Sequence, residues 1–357
     1  MKKDKHICIP DYLTCAAFLV EDNTVTQVNH AAEQRQIPVG ANIHELISIV
    51  SQEYDSFRSG KMYLQLHVAG AQYNACVSRY QDHRLFCILS EYTSKELQTF
   101  SLVSSIWREP LQNILSGVEQ LYRNLPENAF PSAAKSIGQI NRNLYQLIRS
   151  VGNMSDASVH SHYGQDAFQY MDANAYFNEL AVKLQSQIPT DRGNILYTGL
   201  KKQISTMLAP LALERAICNL LSNAIKFSSH ESSVSLRISS KNNRLYIVVE
   251  NTCDPAAMQV AQFFDNYLRE PGLEENRIGI GLGLSVVRNI ASAHRGALLV
   301  SRKKPNVISF TMTLAVQEES LNMLKSSRTT IIDHTGGFDT ILVELSDILP
   351  DEMYENI

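Results

Sequence analysis

The chain has 357 residues, enough for two or three domains with their own cores. Hydrophobic residues make up 44% and charged residues 19%, a globular balance, and the formal net charge of −4 excludes a broad electrostatic grip on nucleic acid. No run approaches the roughly 18 consecutive apolar residues of a membrane-spanning helix, so no membrane insertion is expected. The start, Met1-Lys2-Lys3-Asp4-Lys5-His6, lacks the apolar stretch of a signal peptide. Six cysteines, at 8, 15, 76, 87, 218 and 253, form no C-x-x-C pair, and buried thiols in a reducing, cytoplasmic setting are the expectation.

Residues 5–92 read as an α+β module. A strand at 16–20 turns at 21–23 into a second at 24–28, and brief helices are expected near 30–35, 43–50 and 52–58. Met62, Leu64, Leu66 and Val68 alternate along a strand over 62–68, followed by a turn at 69–71 and strands near 73–79 and 84–90. Residues 94–156 change period. Phe100, Val103, Trp107, Leu111, Ile114, Val118, Leu121 and Leu125 recur at three and four, break near Pro126, and resume with Ile137, Ile140, Leu144, Leu147 and Val151. This is an antiparallel helical hairpin with one narrow apolar seam per helix, and dimerisation into a four-helix bundle is the natural way to bury both seams.

Residues 168–316 form a second α+β unit. Helices are expected near 173–186 and 210–228, then a β-hairpin of 234–239 and 245–251 turned by Lys241-Asn242-Asn243. A glycine-rich loop at 279–283 opens a helix reaching His294, and strands near 297–302 and 307–314 close the unit. Residues 317–357 are a tail of unassigned role. Its apolar Ile341-Leu342-Val343 suits either a docking segment or a strand capping the sandwich.

On the helix at 210–228, Asn219, Asn223 and Lys226 fall at i, i+4 and i+7, within about 60° of one another. Asparagine is a poor mid-helix residue because it competes for backbone hydrogen bonds. Two on one face beside a lysine suit Mg²⁺, which favours amide oxygens, and phosphate, which favours the ammonium. An ordinary solvated polar face is the alternative. Gly279, Gly281 and Gly283 then let backbone approach a ligand closely, and the following helix offers free N–H groups to phosphate.

Asn219-Leu220-Leu221-Ser222-Asn223-Ala224-Ile225-Lys226-Phe227 resembles the asparagine box of sensor histidine kinases. Gly279-Ile280-Gly281-Leu282-Gly283-Leu284 resembles their glycine-rich lid box, and Phe263-Phe264-Asp265-Asn266-Tyr267-Leu268-Arg269 is similar to the phenylalanine box between. The resemblance implies an α+β multidomain chain: a PAS-like N-terminal sensor domain, the hairpin as a dimerisation and phosphoacceptor domain, and a Bergerat-type ATP-binding α/β sandwich. It implies ATP and Mg²⁺ as cofactors, with Asn219 and Asn223 on the metal and Lys226 on phosphate. It also implies a homodimer and a response regulator or partner histidine kinase. Hydrolytic relatives carry glutamate at position 219; an amide cannot act as a general base, which favours holding ATP over hydrolysing it.

The chain departs from the family in two places. Where the phosphoacceptor motif reads H-E-L-R-T-P-L, this chain reads Ser105-Ile106-Trp107-Arg108-Glu109-Pro110-Leu111, and no histidine lies between 94 and 156. A serine hydroxyl needs an activating base. Glu109, one turn on, is the candidate, against a bland pair of surface residues. In the first glycine box, D-x-G-x-G, Glu250 takes the place of the aspartate that accepts a hydrogen bond from the adenine amino group, and Thr252 and Asp254 replace the glycines. Three readings stay open: a regulatory kinase-like protein degenerate in self-phosphorylation, an active kinase acting on a partner or on Ser105, and a dimeric scaffold with a vestigial nucleotide pocket.

Overall fold

The structure, a computed structural model, describes residues 9, 15–80, 83–89, 94–126, 129–158, 167–189, 194–228, 232–253, 283–304, 306–317 and 338–355. In the N-terminal module, β1 (Ala17–Glu21) and β2 (Thr24–Val28) form a hairpin. Its turn is made by Asp22 and Asn23 at φ 45° and 63°, the left-handed region these residue types tolerate. Asn29 caps α1 (His30–Gln34), its side-chain oxygen accepting from the Ala32 N–H. The helix expected over 43–50 is broken: α2 (Ile43–Leu46) ends at Ile47, where φ reaches −122°, and a 3-10 turn over 48–50 leads into α3 (Ser51–Ser56). Then follow β3 (Lys61–Val68), β4 (Ala71–Tyr80) and β5 (His83–Ile88). The helices cover one sheet face over Phe18, Tyr54, Met62, Leu64, Leu66 and Phe86, all fully buried.

Two long helices come next, α4 (Ser94–Arg123), with Pro110 inside it, and α5 (Phe130–Ser158), which pack along each other. Their apolar positions do not share one environment, and Val103, Val118, Leu125 and Ile137 are partly buried. Leu111, Leu115, Leu144, Tyr145, Ile148 and Val151 are buried. Leu102, Ile106, Trp107, Ile114, Leu121, Ile140 and Leu147 are each more than 40% exposed, so the single seam expected on each helix is divided between an inward and an outward stripe.

The second α+β unit begins with β6 (Gln169–Asp172) and α6 (Ala173–Gln187), then β7 (Ile195–Thr198) and β8 (Ser205–Leu208). Each of these strands spans only four residues, too short to leave a period in the sequence. Then come α7 (Pro210–Lys226), β9 (Val234–Lys241), β10 (Arg244–Thr252), α8 (Gly283–Ala293), β11 (Leu298–Lys304) and β12 (Val307–Ala315). Asn242 and Asn243, at φ 50° and 59°, turn the β9–β10 hairpin.

Among the described residues, ten strands form one sheet in the order β2-β1-β5-β4-β3-β11-β12-β10-β9-β7. The two units are joined edge to edge by β3 and β11, with Leu298 opposite Tyr63, Leu299 opposite Met62 and Val300 opposite Lys61. Gly60 makes the joint possible. It sits at φ 87°, and a Cβ there would lie 2.2 Å from the Val300 carbonyl oxygen. Beside the joint, buried Glu53 accepts from the Thr313 hydroxyl at 3.0 Å and pairs with Arg244 at 3.2 Å.

The C-terminal segment is helical, not the alternative strand. Asp339 caps α9 (Thr340–Glu344) by accepting from the Ile341 and Leu342 N–H groups, and a 3-10 turn over Asp351–Tyr354 ends it. It packs against both α5 and α7.

Candidate functional site

α7 starts with Pro210 at its first helical position, where the missing N–H costs nothing. The N-cap residue is Ala209, which has no capping side chain. Its backbone N–H instead donates to Nε2 of His294 at 3.1 Å, while the His294 Nδ1–H donates to the Ile290 carbonyl at 2.8 Å. Burial pushes this imidazole down to about 4, so it is neutral. Leu213, Ile217, Leu220 and Ala224 pack into the core as their spacing requires.

The polar face of α7 is covered rather than solvated. Asn219 is fully buried, while Asn223 and Lys226 are partly buried. Gly283, the first residue of α8, closes against it: a Cβ there would lie 2.6 Å from the Asn219 side-chain oxygen. The asparagine helix and the end of the glycine loop therefore converge. Gly279, Gly281 and the 263–269 segment lie outside the described residues.

The rest of the cover comes from groups that the motifs do not include. Glu344 of α9 is buried among α5 and α7. Its Oε1 accepts from Arg215 Nε at 2.6 Å, and its Oε2 from Asn219 Nδ2 at 2.8 Å and Arg149 Nε at 3.2 Å. A second nitrogen of Arg149 donates to the Asn219 oxygen at 3.2 Å, and a third pairs with Asp347 at 2.7 Å. Lys226 Nζ stands 3.7 Å from the same Asp347. Arg215 also donates to Asn153 at 2.8 Å. Three cations thus meet two carboxylates around Asn219. Their signal was visible as charges inside apolar runs: Arg149 beside Ile148 and Val151, Arg215 between Leu213 and Ile217, Glu344 after Ile341-Leu342-Val343.

Glu250 points elsewhere. Leu245, Ile247 and Val249 alternate into the core beneath α7, so Glu250 falls on the opposite sheet face. There it accepts from Ser309 at 3.0 Å, Arg237 at 3.2 Å and the Lys303 ammonium. These partners hold its carboxyl below the ordinary carboxylate range against the opposing effect of burial. The residue that continues the inward alternation is Asn251, 3% exposed, whose amide donates to Cys253 Sγ at 3.1 Å. The strand end lies by the end of α7, through a bridge between Ser228 and Cys253. Ser105 lies in α4, with its side chain outside the description, and Glu109 on the same helix is exposed.

As a donor set for a magnesium-chelated triphosphate, Asn219, Asn223, Lys226 and the α8 start are chemically suited: amide oxygens for the metal, an ammonium and free N–H groups for phosphate. The Asn219 oxygen, however, accepts from the Arg149 guanidinium. A metal cation and a guanidinium cannot share that oxygen, so Asn219 is engaged in this arrangement.

The family pattern described as histidine kinase-, DNA gyrase B- and HSP90-like ATPase matches residues 209–318. Sensor histidine kinase CusS of Escherichia coli strain K12 is 32% identical over 114 residues, covering 31% of this chain and 23% of that protein. Sensor protein CiaH of Streptococcus pneumoniae serotype 4 is 23% identical over 240 residues, covering 65% of this chain and 52% of that protein. The chain thus spans about a quarter to a half of these relatives' length. Among solved structures, full-length ShkA in complex with AMPPNP is 18% identical with a TM-score of 0.46, covering 64% of this chain and 47% of that one. No described helix is long and apolar enough to cross a membrane.

Proposed function

We propose, from the premise that this chain belongs to the sensor histidine kinase family, that it binds ATP-Mg²⁺ on the polar face of α7 and regulates a partner. The partner is a response regulator or another histidine kinase, and self-phosphorylation is not its role. The observation that carries this reading is the meeting of Asn219 with Gly283 on a helix that also presents Asn223 and Lys226. In it Asn223, and Asn219 once freed, hold Mg²⁺, and Lys226 contacts phosphate. Bound Mg²⁺-ATP would supply a transferable phosphoryl group. The hairpin carries no histidine to accept it, and Glu109 is solvent-exposed with no described contact to activate a hydroxyl.

Titration of the full chain with Mg²⁺-ATP by calorimetry tests this. Binding is expected, and Asn223→Ala is expected to weaken it at least tenfold. No heat up to millimolar nucleotide would leave the scaffold reading. Incubation with γ-labelled ATP is expected to leave the chain unlabelled; label on Ser105 would favour the kinase reading.

The base contact belongs in this proposal to Asn251 rather than Glu250, because the strand's alternation turns it inward. A neutral amide makes a weaker acceptor than a carboxylate, by roughly 1 kcal/mol. Asn251→Asp is therefore expected to tighten adenine nucleotide binding about fivefold to tenfold and to leave guanine nucleotide binding unimproved, measured by the same titration.

The outward stripe of Leu102, Ile106, Ile114, Leu121, Ile140 and Leu147 supports a homodimer through the hairpin. The five antiparallel strands with helices between β2 and β3 support a PAS-like sensor role for the N-terminal module.

A further inference from the structure

We propose that residues 338–355 are a built-in plug, an acidic segment of the chain itself that competes with a magnesium-chelated triphosphate for the polar face of α7. The proposal rests on the nucleotide reading above and adds how that site is regulated.

The segment carries its negative charge where a polyphosphate would carry it. Glu344, the last residue of α9, and Asp347, in the turn that follows, are two carboxylates three residues apart. Between them they engage Asn219, Lys226, Arg149 and Arg215. Carboxylates and phosphates are recognised by the same guanidinium and ammonium donors. Two of the residues the plug holds, Asn219 and Lys226, belong to the asparagine box itself. Its grip on Arg149 also keeps a guanidinium on the Asn219 oxygen, the atom a metal would need. The plug and the metal-nucleotide therefore exclude each other by contact and by charge.

The segment is built to dock. Ile341, Val343, Leu345, Leu349 and Tyr354 are buried. Arg142 of α5 donates to the Ser346 carbonyl at 2.9 Å and to Asp351 at 3.0 Å, and Asn141 donates to the Tyr354 carbonyl at 2.9 Å. Gly138 on α5 permits the approach: a Cβ there would lie 2.5 Å from the Asp351 carbonyl oxygen. The plug consequently also ties α5 to α7, holding the hairpin against the ATP-binding unit. Its removal frees the site and releases the tie between α5 and α7.

The test uses the full chain and two measurements. Removing Glu344 would strand two buried guanidiniums, so the variant is Asp347→Asn with Asp351→Asn, at partly buried positions near the surface. Calorimetry with Mg²⁺-AMPPNP is expected to show at least fivefold tighter binding than in the unmodified chain. Hydrogen exchange of the unmodified chain is expected to show amides of 340–354 losing protection when the nucleotide saturates. Equal affinity in the two chains, with unchanged exchange in 340–354 under saturating nucleotide, would overturn the plug and leave the nucleotide site standing. Absence of binding in both chains would overturn the nucleotide reading and the competition with it.

Discussion

The Gly60→Ala chain is expected to lose about 3 kcal/mol of stability and to unfold in urea in two steps where the unmodified chain unfolds in one. Two penalties combine at this residue. An alanine at φ 87° is strained, and its Cβ would fall 2.2 Å from the Val300 carbonyl oxygen, a backbone atom that cannot rotate away. The least costly relief is to pull β3 from β11, which opens three residue pairs and exposes two strand edges. The Glu53–Arg244 pair and the Glu53–Thr313 bond, which bracket the same joint, would go with it. Hydrogen exchange read separately in β3–β5 and in β9–β12 along one urea series would separate the two steps. Coincident transitions would show that the modules remain one cooperative unit without the joint.

Lowering the pH is expected to cost stability through His294. Burial lowers its folded pKa from 6.5 to about 4, so the neutral ring is favoured by folding. The stabilisation is complete above the unfolded value of 6.5 and is lost as pH falls toward about 4, where the unfolded chain binds a proton that the folded chain refuses. The window corresponds to about 3 kcal/mol. The geometry explains the size: a proton on Nε2 would face the Ala209 N–H donor that now points at it. The consequence reaches the entry of α7. His294→Gln, compared with the unmodified chain in urea at pH 7 and pH 4.5, is expected to be less stable at pH 7 and to show a shallower fall with acid. Equal falls in the two chains would assign the acid sensitivity to other groups.

Much of the architecture was legible because its cues are local. The alternation of Met62, Leu64, Leu66 and Val68 specified β3, and Asn242-Asn243 specified the β9–β10 turn. The three-and-four spacing of leucines and isoleucines specified α4 and α5, although spacing alone could not say which of Leu111 and Ile114 turns inward, since that depends on what packs alongside. Strands β6, β7 and β8 left no cue because four residues hold only two repeats of a strand's alternation, too few to stand out. At the site, the spacing of Asn219, Asn223 and Lys226 correctly indicated a shared face. The register of the D-x-G-x-G box points to Glu250, whereas the period of two along Leu245, Ile247 and Val249 turns Asn251 inward. Arg149 and Glu344 stand 70 and 125 residues from Asn219, and no local pattern links positions so far apart.

The shared sheet also limits how the N-terminal module can shift against the rest of the chain. β3 lies against α8 as well as β11, so its position bears on the helix whose first residue touches Asn219. A hydrogen-bonded ladder does not slide continuously: shifting it by one residue inverts every side chain, and the next allowed register is two residues, about 7 Å, away. Any rearrangement of this seam itself is therefore all-or-none, an intact or a ruptured ladder. A strain too weak to part three residue pairs would leave the register of the seam as it is.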